Sequence, residues 1–283
     1  MYKGWLRAAG AVLAAWQPGK AMRWYDDGGL AMTAGRMLIT GAAKRIGAEL
    51  ARAFGADGWH LILHYNSNHD AAQCLKDELA QKGMSVSLIQ ADLSDEGQLR
   101  VMMNEVLEEA PLDVLVNNAS LFSYDDSQNV SYELISRHMA VNLAAPAVLS
   151  RMFAAQSEPE DRNRRRCIIN MLDAKLFGMN PDYFSYTMSK SALLNLTQIS
   201  AQAYAPDVRV NGIAPGITLP SGGQTQAEFE RSHQNNLLGK GADISEIVAA
   251  MRLILASQSM TGEVIVLDGG AHLRPPARDV AFL

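Results

Sequence analysis

Apolar positions along the chain gather into short runs, and longer stretches with helical spacing separate them. MLIT (37–40), WHLILH (59–64), SVSLIQ (85–90), DVLVNN (113–118), RCIINM (166–171), VRVNGI (208–213) and EVIVLD (263–268) predict seven strands. The intervening spacing predicts amphipathic helices, for example over 42–56, 70–82 and 132–153. Strands that are apolar on both faces and alternate with helices imply a parallel sheet covered on both sides. The expected class is therefore α/β, a doubly wound sheet with helices flanking it. Ligands in such sheets bind at the carboxyl ends of the strands, so those ends are where chemistry is expected.

Residues 36–283 read as one domain, because this span holds no Pro-, Gly- or Ser-rich linker and no repeat. Residues 1–35 read as an N-terminal extension: a loose arm, or the product of a start codon placed too early, since Met32 and Met37 closely precede the first strand. Lys3 and Arg7 beside the apolar stretch 8–16 give a faint secretory pattern that these readings outweigh. No uncharged apolar stretch approaches the roughly 18 residues of a membrane span. Charge and composition narrow the partners. The chain has 283 residues with 48% hydrophobic, 19% charged and a formal net charge of −5, so nothing suggests a nucleic-acid partner. The basic run 161–166 lies between a helical and a strand segment and reads as a solvated loop. The two cysteines, Cys74 and Cys167, have no metal-ligand spacing, so neither a disulfide framework nor a metal site is expected. A cytoplasmic location fits these features.

The first strand ends in TGAAKRIG (40–47) and opens the first helix, the context that a dinucleotide turn requires. Gly41 permits a tight turn, Gly47 lets helix and strand approach, and the helix N-terminus can face a pyrophosphate. An NAD-specific site usually has an acid near the end of the second strand; here that end reads His64-Tyr65-Asn66-Ser67-Asn68, with no acid before Asp70. Lys44 and Arg45 could instead pair with a 2′-phosphate, which favours NADPH. The alternative is two solvated cations, poorly placed against the helix dipole without an anion. Asp92 at the third strand end could hold an adenine edge or cap its own turn.

YTMSK places Tyr186 and Lys190 four residues apart, on one helical face. A phenol has a reference pKa near 10, and a neighbouring ammonium favours the phenolate, making the tyrosine a usable acid and base.

Together these stretches resemble the short-chain dehydrogenase/reductase family. TGAAKRIG, Asp92, Asn117-Asn118-Ala119, Asn142, YTMSK and NGIAPGIT (211–218) recur in the family's order over about residues 36–270. The resemblance implies a Rossmann-type fold with a seven-stranded parallel sheet, usually as a homotetramer, and binding of NADP(H). Tyr186 would donate the proton and Lys190 would bind the nicotinamide ribose. Asn142 would hold a water in the proton relay, and Pro215, Gly216 and Ile217 would border the nicotinamide. The remaining cofactor contacts fall on Gly41, Lys44, Arg45, Ile46 and Gly47, on Tyr65, Asn66 and Ser67, on Asp92 and Leu93, and on Asn118, Ala119 and Ser120.

One position departs from the family. The carbonyl-orienting serine commonly lies thirteen residues before the tyrosine, where this chain has Asp173. An ionised carboxylate would repel the oxyanion formed from a ketone, whereas a carboxylic acid can supply the proton that a reduced C=N nitrogen needs. The same departure, the TGAAKR turn and Asn118-Ala-Ser-Leu-Phe122 resemble the pteridine reductase branch, which includes dihydromonapterin reductase-like enzymes. There the residue matching Phe122 stacks on the pterin, that matching Ser120 bonds near cofactor and pterin, and that matching Arg45 reaches both. The extra arginine that the branch often has at the second strand end is absent, so Ser67 and Asn68 would assist Arg45.

The expected activity is NADPH-dependent reduction of a C=N bond in a dihydropterin-like small molecule, with Arg45, Ser120, Phe122, Asp173 and Tyr186 holding the substrate. The alternative is a carbonyl reductase acting on a ketone, sugar or acyl substrate. A non-catalytic nucleotide-binding scaffold is disfavoured by the presence of Tyr186, Lys190 and Asn142. The polar stretch after Thr218 suggests a mobile lid. The tail HLRPPARDVAFL either docks across a subunit interface, with Arg274 or Arg278 near a neighbouring site, or is a frayed end.

Overall fold

The computed structural model describes residues 35–156, 166–220 and 224–282. Seven strands, β1 (Arg36–Ile39), β2 (His60–Tyr65), β3 (Val86–Gln90), β4 (Val114–Asn117), β5 (Arg166–Met171), β6 (Val208–Pro215) and β7 (Val264–Leu267), form one sheet. Every pairing is parallel, in the order β3-β2-β1-β4-β5-β6-β7. The helices are α1 (Arg45–Ala56), α2 (His69–Gln81), α3 (Glu96–Glu109), α4 (Tyr132–Met139), α5 (Ala145–Ala154), α6 (Phe184–Ala203), α7 (Gln226–Gln234) and α8 (Ile244–Ala256). Each strand lies where its apolar run predicts, to within two residues at either end.

Alternation along the strands divides the core into two layers. Met37 and Ile39 of β1 pack with Leu50 and Phe54 of α1 and Ile247 and Met251 of α8. Leu38 faces the other way, toward Leu99 and Met103 of α3 and Phe153 of α5. The sheet reverses its winding between β1 and β4, which opens a crevice at their carboxyl ends.

The structure revises three expectations. The helix predicted over 132–153 is α4 and α5 joined by a π turn, Ala140–Ala144. The first helix starts at Arg45 rather than residue 42, because Gly41 at φ 63° and Arg45 at φ 56° curl the chain before it. Arg166 is not part of a solvated loop. It is buried in β5, where its guanidinium donates to the Phe153 and Gln156 carbonyls at the end of α5. The remainder of that basic run, residues 1–34 of the extension and residues 221–223 of the expected lid lie outside the described residues. Among the described residues no helix is long and apolar enough to cross a membrane, and no cluster of His, Cys, Asp or Glu could hold a metal ion. Cys74 and Cys167 are both free thiols.

Candidate active site

A cleft of about 790 Å³ runs along the carboxyl ends of the strands. At one end it is floored by the turn after β1. Thr40 fastens this turn to β4, its hydroxyl accepting from the Asn118 and Ala119 amides at 3.0 Å each. A Cβ on Gly41 would meet the Ala119 Cα at 2.8 Å, and one on Gly47 would meet the Gly41 carbonyl at 2.5 Å. Backbone is therefore packed against backbone here, as close approach to a pyrophosphate requires. Helix α1 begins with no side-chain cap and no acid in its first turn, although Lys44 and Arg45 stand there. Its amide groups and these two cations suit an anion.

His64, at the end of β2, stitches this turn to the neighbouring strand. Its Nδ1 accepts from the Gly41 amide at 3.1 Å, and Nε2 donates to the Ala91 carbonyl at 3.0 Å. Burial holds its pKa below the ordinary histidine value, which keeps the ring neutral for this pair of bonds.

Beyond the turn lie the groups expected to perform the chemistry. The Tyr186 hydroxyl donates to Asp173 Oδ2 at 2.7 Å, and Asp173 Oδ1 accepts from the Lys175 amide at 2.8 Å. Burial pushes the Asp173 carboxyl above the usual carboxylate range, against the lowering by its hydrogen bonds and by Lys190. Tyr186 is raised well above 10 by burial and then by the Asp173 charge. Lys190 donates to the Met171 carbonyl at 2.7 Å and lies 5.8 Å from the Tyr186 ring centre, with burial bringing its pKa down to about 8. The expectation that Lys190 lowers the Tyr186 pKa is thus not met in this arrangement. The phenol is committed to a carboxylate, and the ammonium is turned to a backbone carbonyl.

Asn142 sits in the π turn, fully buried. Its Nδ2 donates to the Leu121 carbonyl at 3.0 Å and to Ser189 Oγ at 2.9 Å, while Oδ1 accepts from the Leu121 amide at 2.7 Å. Both amide protons are used, so a relay water would meet the backbone rather than this side chain. Asn142 instead fixes the loop that carries Phe122. His138, one turn earlier, takes the Ser123 amide at 3.3 Å and holds the other side of the same loop. Phe122 stacks on Tyr183 with ring centres 4.4 Å apart, stands edge-on to Tyr186 at 4.7 Å, and remains 48% exposed.

The family model for enoyl-(acyl carrier protein) reductases matches residues 41–272, most of the chain. The chain belongs to the short-chain dehydrogenase/reductase family. A crystal structure of FolM alternative dihydrofolate reductase 1 from Brucella canis, complexed with NADP, is similar at 35% identity and a TM-score of 0.80, covering 87% of this chain and 97% of that one. Pteridine reductase 1 of Leishmania tarentolae is 30% identical over 85% of this chain and 97% of its own length. The landomycin ketoreductase LanV, solved with NADP and rabelomycin, is 26% identical with a TM-score of 0.75, covering 85% of this chain and 97% of that one. This family member is an NADP(H)-dependent oxidoreductase acting on a small molecule.

Most residues expected to contact the cofactor line the cleft, from Gly41, Lys44, Arg45, Ile46 and Gly47 in the turn to Pro215, Gly216 and Ile217 after β6. Tyr65 and Ser67 do not: the Tyr65 hydroxyl bonds His69 Nδ1 at 2.8 Å, turned along α2. Asn68 caps α2, accepting from the Ala71 amide at 3.4 Å. Asp92 does line the cleft, yet its Oδ1 caps its own turn through Ser94 N at 2.9 Å and Ser94 Oγ at 2.7 Å. Sequence reasoning missed His64, Lys175, Tyr183 and Asp279, all of which line the cleft. For Tyr183 a signal existed, its position one turn before Tyr186; the others depend on contacts distant in sequence.

Proposed function

We propose that this enzyme reduces a C=N bond of a dihydropterin-like substrate with NADPH, as in the pteridine reductase branch. The observation that carries the reading is the Tyr186–Asp173 hydrogen bond, with the Asp173 pKa raised by burial. NADPH, when bound, supplies a hydride. The chain's own residues then handle the proton. A carboxyl whose charged form is disfavoured by burial takes up a proton more readily than an exposed one and can pass it to a ring nitrogen, with Tyr186 sharing it across their 2.7 Å bond. Lys190, cationic below about 8, would hold the ribose hydroxyls and add positive charge near the phenol.

The substrate's flat ring would lie against Phe122, whose loop is fixed by Asn142 and His138, and its polar edge would meet Ser120 and Arg45. Likeness to FolM and to pteridine reductase 1 supports this choice of substrate class. Likeness to LanV supports carbonyl reduction as a second reading.

NADPH oxidation across a panel of dihydropterins, dihydrofolate and simple ketones separates the two, with Asp173→Ser as the companion variant. The pterin reading predicts turnover of at least one dihydropterin and a drop of about 10²-fold or more in kcat for Asp173→Ser. Turnover of ketones alone, preserved or improved by Asp173→Ser, would establish the carbonyl reading instead.

A further inference from the structure

The end of the chain is built into the rim of the cleft. Asp182, with a side chain 2% exposed, accepts from Arg278 Nε at 2.8 Å and Arg278 Nη2 at 2.7 Å, and from the Asp279 amide at 2.7 Å. Phe282 packs on Tyr124 at 5.1 Å and on Tyr183 at 6.3 Å between ring centres. Pro276, Asp279 and Val280 line the same cleft as Asp173 and Tyr186. The tail is therefore not a frayed end, because Arg278, Asp279 and Phe282 are anchored on its own chain.

Lys175 meets this segment beside the reacting groups. Its amide holds Asp173, and its ammonium donates to the Asp182 carbonyl at 2.6 Å and to Asp279 Oδ2 at 3.1 Å. The two side chains of this ion pair are only 10% and 19% exposed, so little water screens them. The Asp279 charge is felt at Tyr186, whose proton it helps to hold.

We propose that residues 275–282 form the specificity wall of the active site, and that the Lys175–Asp279 pair admits uncharged, hydroxylated substituents while excluding anionic ones. The proposal rests on the reading that places a flat ring beside Asp173, since a substituent leaving that ring then passes the pair. A hydroxyl can donate to the carboxylate and accept from the ammonium. A substituent carboxylate can reach Lys175 only by displacing Asp279 or by standing beside a like charge in a poorly hydrated site.

The test compares kcat/KM for dihydrobiopterin, whose side chain is neutral and hydroxylated, with that for dihydrofolate, whose tail is anionic. The wild type favours dihydrobiopterin. Asp279→Asn, which removes the carboxylate paired with Lys175, shifts the ratio about tenfold toward dihydrofolate, mainly in KM. Lys175→Met, which removes the ammonium beside Asp279, shifts it in the opposite direction. A merely structural role for the tail would move both variants the same way or leave the ratio unchanged, and either result overturns the proposal. If no pterin is turned over, the same ratio is read on ethyl acetoacetate against acetoacetate. Opposite shifts there would retain the wall and reject the pterin reading, and turnover of none of the four would overturn both.

Discussion

Arg45 occupies a backbone conformation that side chains avoid, at φ 56°, in a turn where glycine would be at ease. Its guanidinium reaches across to the Pro220 carbonyl on the loop after β6. The strained backbone is compatible with a binding role, because the same position puts a cation at the mouth of the phosphate turn. Arg45→Gly is expected to relieve about 1 kcal/mol of backbone strain and raise Tm by ~2–4 °C. It should also raise KM for NADPH and for substrate, each about tenfold, through loss of a charge-assisted bond. Thermal melts and steady-state kinetics read the two effects separately, and no change in either KM would make Arg45 a surface residue. Asp173 was legible only through the family resemblance, as the residue that stands where the family's serine lies thirteen residues before the tyrosine. Its effect on the phenol was not legible, since that depends on burial and on where the Lys190 ammonium points.

At the scale of elements, the strands could be read because each is an apolar run between turn residues. The break in the helix over 132–153 could not be read: the π turn is uninterrupted helical sequence, and tertiary bonds from Asn142 to Leu121 and Ser189 accompany it. The link between the β1 turn and β3 was equally silent, because His64 acts through two backbone groups that are distant in sequence. This link has a pH signature. The His64 pKa is lowered on folding, so below the ordinary value of 6.5 the unfolded chain binds the proton more readily and stability falls as pH falls through the folded-state pKa. His64→Gln removes that contribution. The stability advantage of the wild type should be largest above pH 6.5 and shrink from there toward pH 5, by at most about 1.4 kcal/mol per pH unit. Urea titrations at three pH values measure it, and a constant difference would show that His64 does not titrate this way.

Across the whole molecule, the seven-stranded parallel order places the carboxyl ends of all seven strands and the tail around one cleft. The fold class was legible because alternation of strand and helix admits few topologies. The return of the chain's end onto Asp182 was not, because a sequence shows arginines and aspartates without their partners. The central claim is that this architecture delivers a hydride to a C=N carbon while Asp173 and Tyr186 manage the proton at nitrogen. NADPH deuterated at the transferred position of the nicotinamide tests it most directly, with the product of dihydrobiopterin reduction read by NMR. The account predicts one deuterium on a ring carbon adjacent to a newly protonated nitrogen. Recovery of unlabelled dihydropterin, alongside deuterium on the carbinol carbon of a ketone offered under the same conditions, would contradict it.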